Sequence, residues 1–346
     1  ILLEKTSSNM KMMSDLVTSV LNSTRGKVFM AAVNYSLRCA RQSDKGEDER
    51  WISSIKDDFT KRLDRSHEPS LEFSVVLGEY LANLLYLDKQ WVNSNINEIF
   101  NKDYEEHWEA AFTGYVALSS TVYEEIYKLL KENGHYEKGL GVPFNDKHTE
   151  TKLVQHIVIG FLAGWDDLSN QEGLISKLLA QGELKHLSEL ASFMWVFRYK
   201  EDENRSDKVR QLWAIMIEKI KPNIDKAECR SIASDLSKWL ILVDKFDEAV
   251  YEWLKVSLNA MDEVWDSYYL VKYLLKHVQE SPELVEKTYL EMLGLNIYPD
   301  YEKENIIAIV ETLYDKGSSE SANRICNLYG SKGFDLLRET FEAHNT

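Results

Sequence analysis

The sequence predicts an all-α fold, an irregular α-solenoid of stacked antiparallel helix pairs (HEAT/TPR-like). Three observations predict it. Apolar residues recur at helical spacing almost throughout, as at Met13, Leu16, Val17, Val20 and Leu21, and again at Trp51, Ile55, Phe59 and Leu63. Only 5 prolines occur in 346 residues, and proline removes a helix donor and clashes with the preceding turn. Large aromatic residues return with a rhythm: Trp195 with Trp213, Trp239 with Trp253, Tyr273 with Tyr289, and Tyr314 with Tyr329, successive first members lying about 34 to 44 residues apart. Tyr80, Tyr115 and Phe161 extend a looser version of it toward the start. A helix pair cannot bury both its faces alone, whereas stacked pairs make a continuous core. A compact multi-helix bundle is the alternative arrangement of the same helices.

The elements follow from local signals. The chain starts at Ile1 rather than methionine, and Leu2-Leu3-Glu4-Lys5 reads as the tail of an earlier helix, so a piece of a longer protein is expected. Asn22-Ser23-Thr24-Arg25-Gly26 is expected to end one helix, and Pro69 to open another at a first-turn position after the polar run Arg65-Ser66-His67-Glu68. Asn133-Gly134 has the composition of a left-handed cap. The stretch 134–146, with Gly139, Gly141 and Pro143, is the longest non-helical candidate. It serves as the expected boundary between an N-terminal helical part, 1–138, and a C-terminal helical-repeat part, 139–346, with one continuous array as the other option. Ser281-Pro282-Glu283 combines an N-cap residue, a first-position proline and a first-turn acid. Tyr298-Pro299-Asp300 starts a further unit. Roughly sixteen to eighteen helices of about three to four turns are expected.

Composition narrows the function classes. Hydrophobic residues make up 44% and charged residues 28%, a globular balance. The net charge of −16, with no arginine-rich stripe, argues against nucleic acid and against an anionic membrane surface. It serves solubility, or a surface that steers basic partners. The 3 cysteines, Cys39, Cys229 and Cys326, lie far apart with no CxxC pair. Neither a zinc site nor a disulfide framework is indicated, and a reducing cytoplasm is the expected compartment. The most apolar run, 157–165, is too short to cross a bilayer and ends in Asp166-Asp167.

A search for chemistry-bearing patterns yields no catalytic, cofactor-binding or metal-binding residue. There is no GxxxxGK[ST], and Gly139-Leu140-Gly141-Val142-Pro143 reads as a loop. HExxH is absent. The two ExxH matches are Glu132 with His135, interrupted by Asn133-Gly134, and Glu183 with His186. A di-iron bundle needs two such pairs on unbroken helices with two further inward-facing glutamates, so the interruption of the first match makes the pair accidental. His148 and His156 could share a helical face near Asp146 and Glu150, but no second cluster completes a site. GxSxG is absent, and Cys229 and Cys326 read as buried structural thiols. The acidic pairs Asp57-Asp58, Glu105-Glu106, Glu124-Glu125 and Asp166-Asp167, and the run Glu201-Asp202-Glu203, read as solvated faces. Trp195, Trp213, Trp239, Trp253 and Trp265 read as core before recognition surface, with Arg198 either stacked on an aromatic ring or a contact residue.

Two stretches carry a family resemblance: His107-Trp108-Glu109-Ala110-Ala111-Phe112-Thr113-Gly114-Tyr115, continued by Tyr123 to Leu130 and Gly134-His135-Tyr136, and Phe193-Met194-Trp195-Val196-Phe197-Arg198. They resemble the C-terminal helical regions of large multi-domain bacterial proteins, several linked to defence against phage. Those proteins place a sirtuin-like NAD hydrolase or an NTPase upstream. The resemblance implies a sensor or scaffold role and carries over no functional residue. The resulting expectation is a cytoplasmic protein-interaction module without cofactor or catalysis. Its partners would be a protein, a phage protein in the defence version, and the upstream domains of its own chain. A carboxylate-based hydrolase without a recognisable motif and a homo-oligomerisation region are the competing readings.

Overall fold

The computed structural model describes residues 8, 10–118, 121–199, 204–261 and 267–345. Within them the protein is all-helical, with 20 α-helices, more than the sequence reading counted, and no strand. The chain divides into two compact units, Ile1–Leu178 and Leu179–Thr346.

The first unit contains α1 (Leu16–Asn22), α2 (Thr24–Arg41), α3 (Ser53–Arg62), α4 (Leu71–Glu79), α5 (Leu81–Leu87), α6 (Lys89–Ile99), α7 (Glu105–Leu118), α8 (Glu124–Glu132), α9 (His135–Gly141), α10 (Lys147–Leu162) and the start of α11 (Leu174–Gln181). The second contains α12 (Leu184–Met194), α13 (Arg205–Ile220), α14 (Ala227–Ser237), α15 (Glu248–Leu258), α16 (Tyr268–His277), α17 (Pro282–Gly294), α18 (Lys303–Asp315), α19 (Ser319–Ser331) and α20 (Arg338–His344). The boundary expected at 138/139 falls inside α9.

Several local signals act differently from expectation. The break after α1 is a single residue, because Ser23 accepts a hydrogen bond from Gly26 N (2.9 Å) and so caps α2, taking Thr24-Arg25-Gly26 into the helix. Pro69 sits before Ser70, the residue preceding α4, rather than inside its first turn. Gly134 adopts the left-handed conformation (φ 69°), as its position after Asn133 predicts. The stretch after it is helical as far as Gly141, and only 142–146 form a loop. Gly139 lies within α9, where a Cβ would stand 2.9 Å from the Phe112 ring, so its lack of a side chain admits the neighbouring helix. Ser281 does not cap α17; its hydroxyl donates to Phe246 O (2.7 Å) instead. Asp88, Asp146 and Asp247 cap α6, α10 and α15 by accepting from Trp91 N, His148 N and Val250 N. Leu2 to Lys5 lie outside the described residues.

The centre of the first unit is the crossing of α4 and α7. All residues from Leu71 to Gly78 are buried, and so are Ala110 to Val116. Two glycines bring the backbones into contact: Gly78 lies against Ala111 and Tyr115 of α7, and Gly114 against Val75 of α4. Around this crossing Phe29, Phe59 and Phe73 pack edge to face or tilted, with ring centroids 4.9 to 6.0 Å apart. Trp108, Phe112 and Phe144 stack on its other flank.

In the second unit Trp213 and Trp239 are fully buried, with ring centroids 6.2 Å apart. Aromatic contacts join the helices of this unit. Trp213 touches Trp239 and Trp253, Trp195 Nε1 donates to Tyr273 OH (2.8 Å), and Tyr289 OH bonds Tyr329 OH (3.0 Å). Arg198 lies 3.3 Å over the Trp195 ring, the stacked alternative. Trp265 lies outside the described residues. No helix in the described residues is long and apolar enough to cross a membrane.

Candidate functional site

The residues that the sequence brought forward do not converge. His148 is exposed, whereas His156, on the same helix, is 2% exposed with Nδ1 3.0 Å from Tyr136 OH. Burial pushes its pKa down to about 3, so it stays neutral near pH 7. Gly134 separates Glu132 at the end of α8 from His135 at the start of α9. His135 is sealed against Phe100, and burial lowers it to about 3. Glu183 precedes α12 and His186 is buried within it. Among the described residues no group of three or more His, Cys, Asp or Glu could hold a metal ion. Cys229 and Cys326 are buried, and burial raises both thiols.

The acidic pairs separate into two kinds. Glu105, Glu106, Glu124 and Glu125 are exposed. Asp166 is not a solvated acid: at 6% exposure it accepts hydrogen bonds from Lys131 Nζ (2.7 Å) and Ile175 N (2.8 Å). Glu201 to Glu203 lie outside the described residues.

The polar run before Pro69 alternates sides: Ser66 and His67 are exposed, whereas Arg65 and Glu68 are buried. Glu68 is fully buried and bonded to Arg25, Arg62 and Ser70 N. Burial alone would raise its carboxyl; the hydrogen bonds from Ser70 and Arg25, and the neighbouring guanidinium charges, hold it below the usual carboxylate value. Arg65, 5% exposed, donates through Nη2 to Glu98 O (2.9 Å) and Ile99 O (3.3 Å), satisfying carbonyls that the last turn of α6 leaves open. These charges tie α2, α3 and α6 to the loop before α4.

One pair has the residue types of nucleophilic catalysis. Ser74 Oγ lies 2.8 Å from His107 Nδ1, and burial, with the charge of Arg65, pushes His107 down to about 4. Ser74 is wholly buried inside the α4–α7 crossing, where no substrate carbonyl reaches it, so the bond serves packing. Glu79 ends α4 half-buried; burial pushes it up to about 7, and its Oε2 has no hydrogen-bond partner among the described residues.

The surface feature with recognition chemistry is a groove of about 520 Å³ on the first unit. Its volume falls in the range of small ligand sites, roughly 300–1,000 Å³. One wall comes from the short 3₁₀ turn Glu47–Glu49 with Arg50, the next from Ala82, Asn83, Leu85 and Tyr86 of α5 with Lys89 of α6, and the third from Tyr123 to Ile126 at the start of α8. The α4–α7 crossing sets the frame, since α4 runs through Tyr80 directly into α5 and α7 precedes the Tyr123 segment. Tyr86 and Tyr123 are 40% and 52% exposed, while Ile126 is fully buried. The Arg50 guanidinium lies 4.4 Å from the Tyr86 ring centroid and donates to Tyr86 O (3.2 Å). Lys89 pairs with Glu125 (2.5 Å) and Glu124 with Lys128 (2.6 Å). Sequence reasoning did not find this groove. Its residues come from three separated segments with no common motif, and only Tyr123 to Leu130 stood out, through the resemblance.

In comparison with known proteins, no family model matches the chain, and neither curated proteins nor solved structures give a match.

Proposed function

We propose that the chain is a protein-interaction module, a stack of antiparallel helix pairs that binds a protein partner without chemistry. The groove carries the reading. Tyrosine and arginine are the residue types enriched at binding hot spots, and here two exposed tyrosines and one arginine stacked on a ring line the same depression.

The repeat architecture is supported by hydrogen bonds that recur at separations of 33 to 40 residues. In the first unit Arg65 reaches Glu98 (33 residues on), Ser74 reaches His107 (33), Asn97 reaches Asn133 (36) and Thr149 reaches Thr113 (36). In the second, Ser281 reaches Phe246 (35), His277 reaches Leu240 (37) and Tyr289 reaches Tyr329 (40). Such separations match the length of a helical-pair repeat, in which each unit bonds to the next.

In the defence version of this reading, the partner is a phage protein and an upstream effector responds to its binding. The test is affinity capture from bacterial lysates, with and without phage infection, using the wild type and Tyr86→Ala/Tyr123→Ala in parallel. A protein retained by the wild type and lost by the double variant supports the module, and enrichment only after infection supports the defence version. A capture profile identical for the two proteins contradicts the role of the groove.

A further inference from the structure

We infer that the groove's occupant is a cationic segment of the partner protein, with a lysine or arginine side chain set against the Tyr123 ring and its charge toward Glu47. The inference rests on the reading of the chain as an interaction module and names the partner chemistry that reading leaves open.

The groove's own cations are already engaged. Arg50 stacks on Tyr86 and bonds its carbonyl. Lys89 pairs with Glu125, and the bond to Glu125 raises its pKa, with Glu47 and Asp48 adding to the negative field around it. Glu124 holds Lys128 outside the groove. Glu47 stands in the exposed acidic turn Glu47–Glu49 and has no ion-pair partner among the described residues.

An anionic segment would meet three carboxylates, Glu47, Glu124 and Glu125, against the two cations Arg50 and Lys89 of the lining. A purely apolar segment would strip water from Glu47 with nothing in return, since burying an unpaired charge is costly. A cation satisfies both the carboxylate and the aromatic faces. The fold contains a precedent, because Arg50 already occupies the Tyr86 ring in that way. The net charge of −16 favours approach of the same class of partner at longer range.

The test uses the full chain and fluorescein-labelled decapeptide pools, each pool fixed at its central position to one amino acid and the rest degenerate, read by anisotropy. The arginine and lysine pools are expected to bind in preference to the aspartate and glutamate pools. Binding of the arginine pool is expected to fall about tenfold in Tyr123→Ala and several-fold in Glu47→Gln, and to weaken as salt rises, as screening of exposed charges requires. Both substitutions sit on exposed side chains, and unchanged thermal unfolding checks that each variant remains folded. An acidic pool that binds as well as the arginine pool, or an arginine pool indifferent to both substitutions, overturns the inference. If a captured protein still depends on Tyr86 and Tyr123 while the pools show no cationic preference, the cationic occupant is wrong and the module reading stands. If neither capture nor pools depend on the groove, both fail.

Discussion

Replacing Gly78 with alanine tests the crossing on which the first unit is built. The new Cβ would overlap the Ala111 carbonyl oxygen and stand 2.8 Å from Tyr115 N, where an ordinary contact begins at 3.4 Å. Both obstacles are helix backbone, so no rotamer change relieves them, and α4 and α7 must part by about 1 Å, which forfeits a quarter to a half of each facing dispersion contact. Overpacking of this kind costs about 1–3 kcal/mol and more where backbone must move; alanine's helix preference over glycine returns about 0.5–1 kcal/mol. A net loss of about 1–2.5 kcal/mol is expected. Gly114→Ala, whose Cβ would meet Val75 C and Cα at 3.1 Å, is expected to act similarly. The double variant is expected to cost less than the sum of the two, because one separation of the helices accommodates both methyls. Gly330→Ala supplies the contrast: Gly330 is exposed in α19 with nothing within 4 Å of its would-be Cβ, so that substitution is expected to stabilise. The assay is urea unfolding followed peptide by peptide through hydrogen–deuterium exchange, which separates α4 and α7 from the second unit. Gly78→Ala as stable as the wild type, or Gly330→Ala equally destabilising, would show that the α4–α7 backbones are not in close contact.

The buried histidines make stability depend on acid. His135 and His156 are held near 3 in the folded chain against an ordinary 6.5, so below pH 6.5 the unfolded chain takes up protons that the folded one refuses. Stability is expected to fall as pH drops from 6.5 toward 3, by about 2 kcal/mol per histidine at pH 5; a urea midpoint that does not move between pH 7 and 5 would contradict this. Glu79 works in the opposite sense: its folded value is raised from 4.5 to about 7, so its contribution is full below 4.5 and lost as pH rises through 7. Glu79→Gln is therefore expected to stabilise at pH 8, by about 1–2 kcal/mol once the solvent screening of a half-exposed group is included, and to do little at pH 4.5; equal effects at the two pH values would show that the carboxyl is not held up by burial. Thiol labelling of the native chain is expected to reach the partly exposed Cys39 first, with Cys229 and Cys326 reacting only on unfolding; mass spectrometry of the labelled peptides decides it.

Much of the helical content is legible in the sequence, because it depends on local rules. Scarce proline, helical spacing of Leu16, Val17 and Val20, and the left-handed glycine at Gly134 each act within a few residues. The errors arise where tertiary contact overrides local preference. Gly139 looks like a loop residue but belongs to a helix that needs a bare face against Phe112. Arg65 and Glu68 stand in a polar run yet are buried, and Glu68 is held there by guanidinium groups from α2 and α3 that no local pattern reveals. The aromatic rhythm is visible, but which rings touch is set by tertiary packing, as where Trp213 meets Trp239 and Trp253. The groove was hidden for the same reason. Glu47, Tyr86 and Tyr123 become neighbours only after the α4–α7 crossing is formed.

The central claim, recognition of a protein partner at this groove, is tested most directly by photo-crosslinking. Benzoylphenylalanine is placed at position 123 in the full chain, and in a control at position 35, where Tyr35 is 60% exposed and lies outside the groove. After irradiation in lysate, a discrete crosslinked protein is expected from position 123, joined through a peptide rich in lysine or arginine, and no such product from position 35. The same products from both positions, or none from position 123 while partner capture persists, would contradict it.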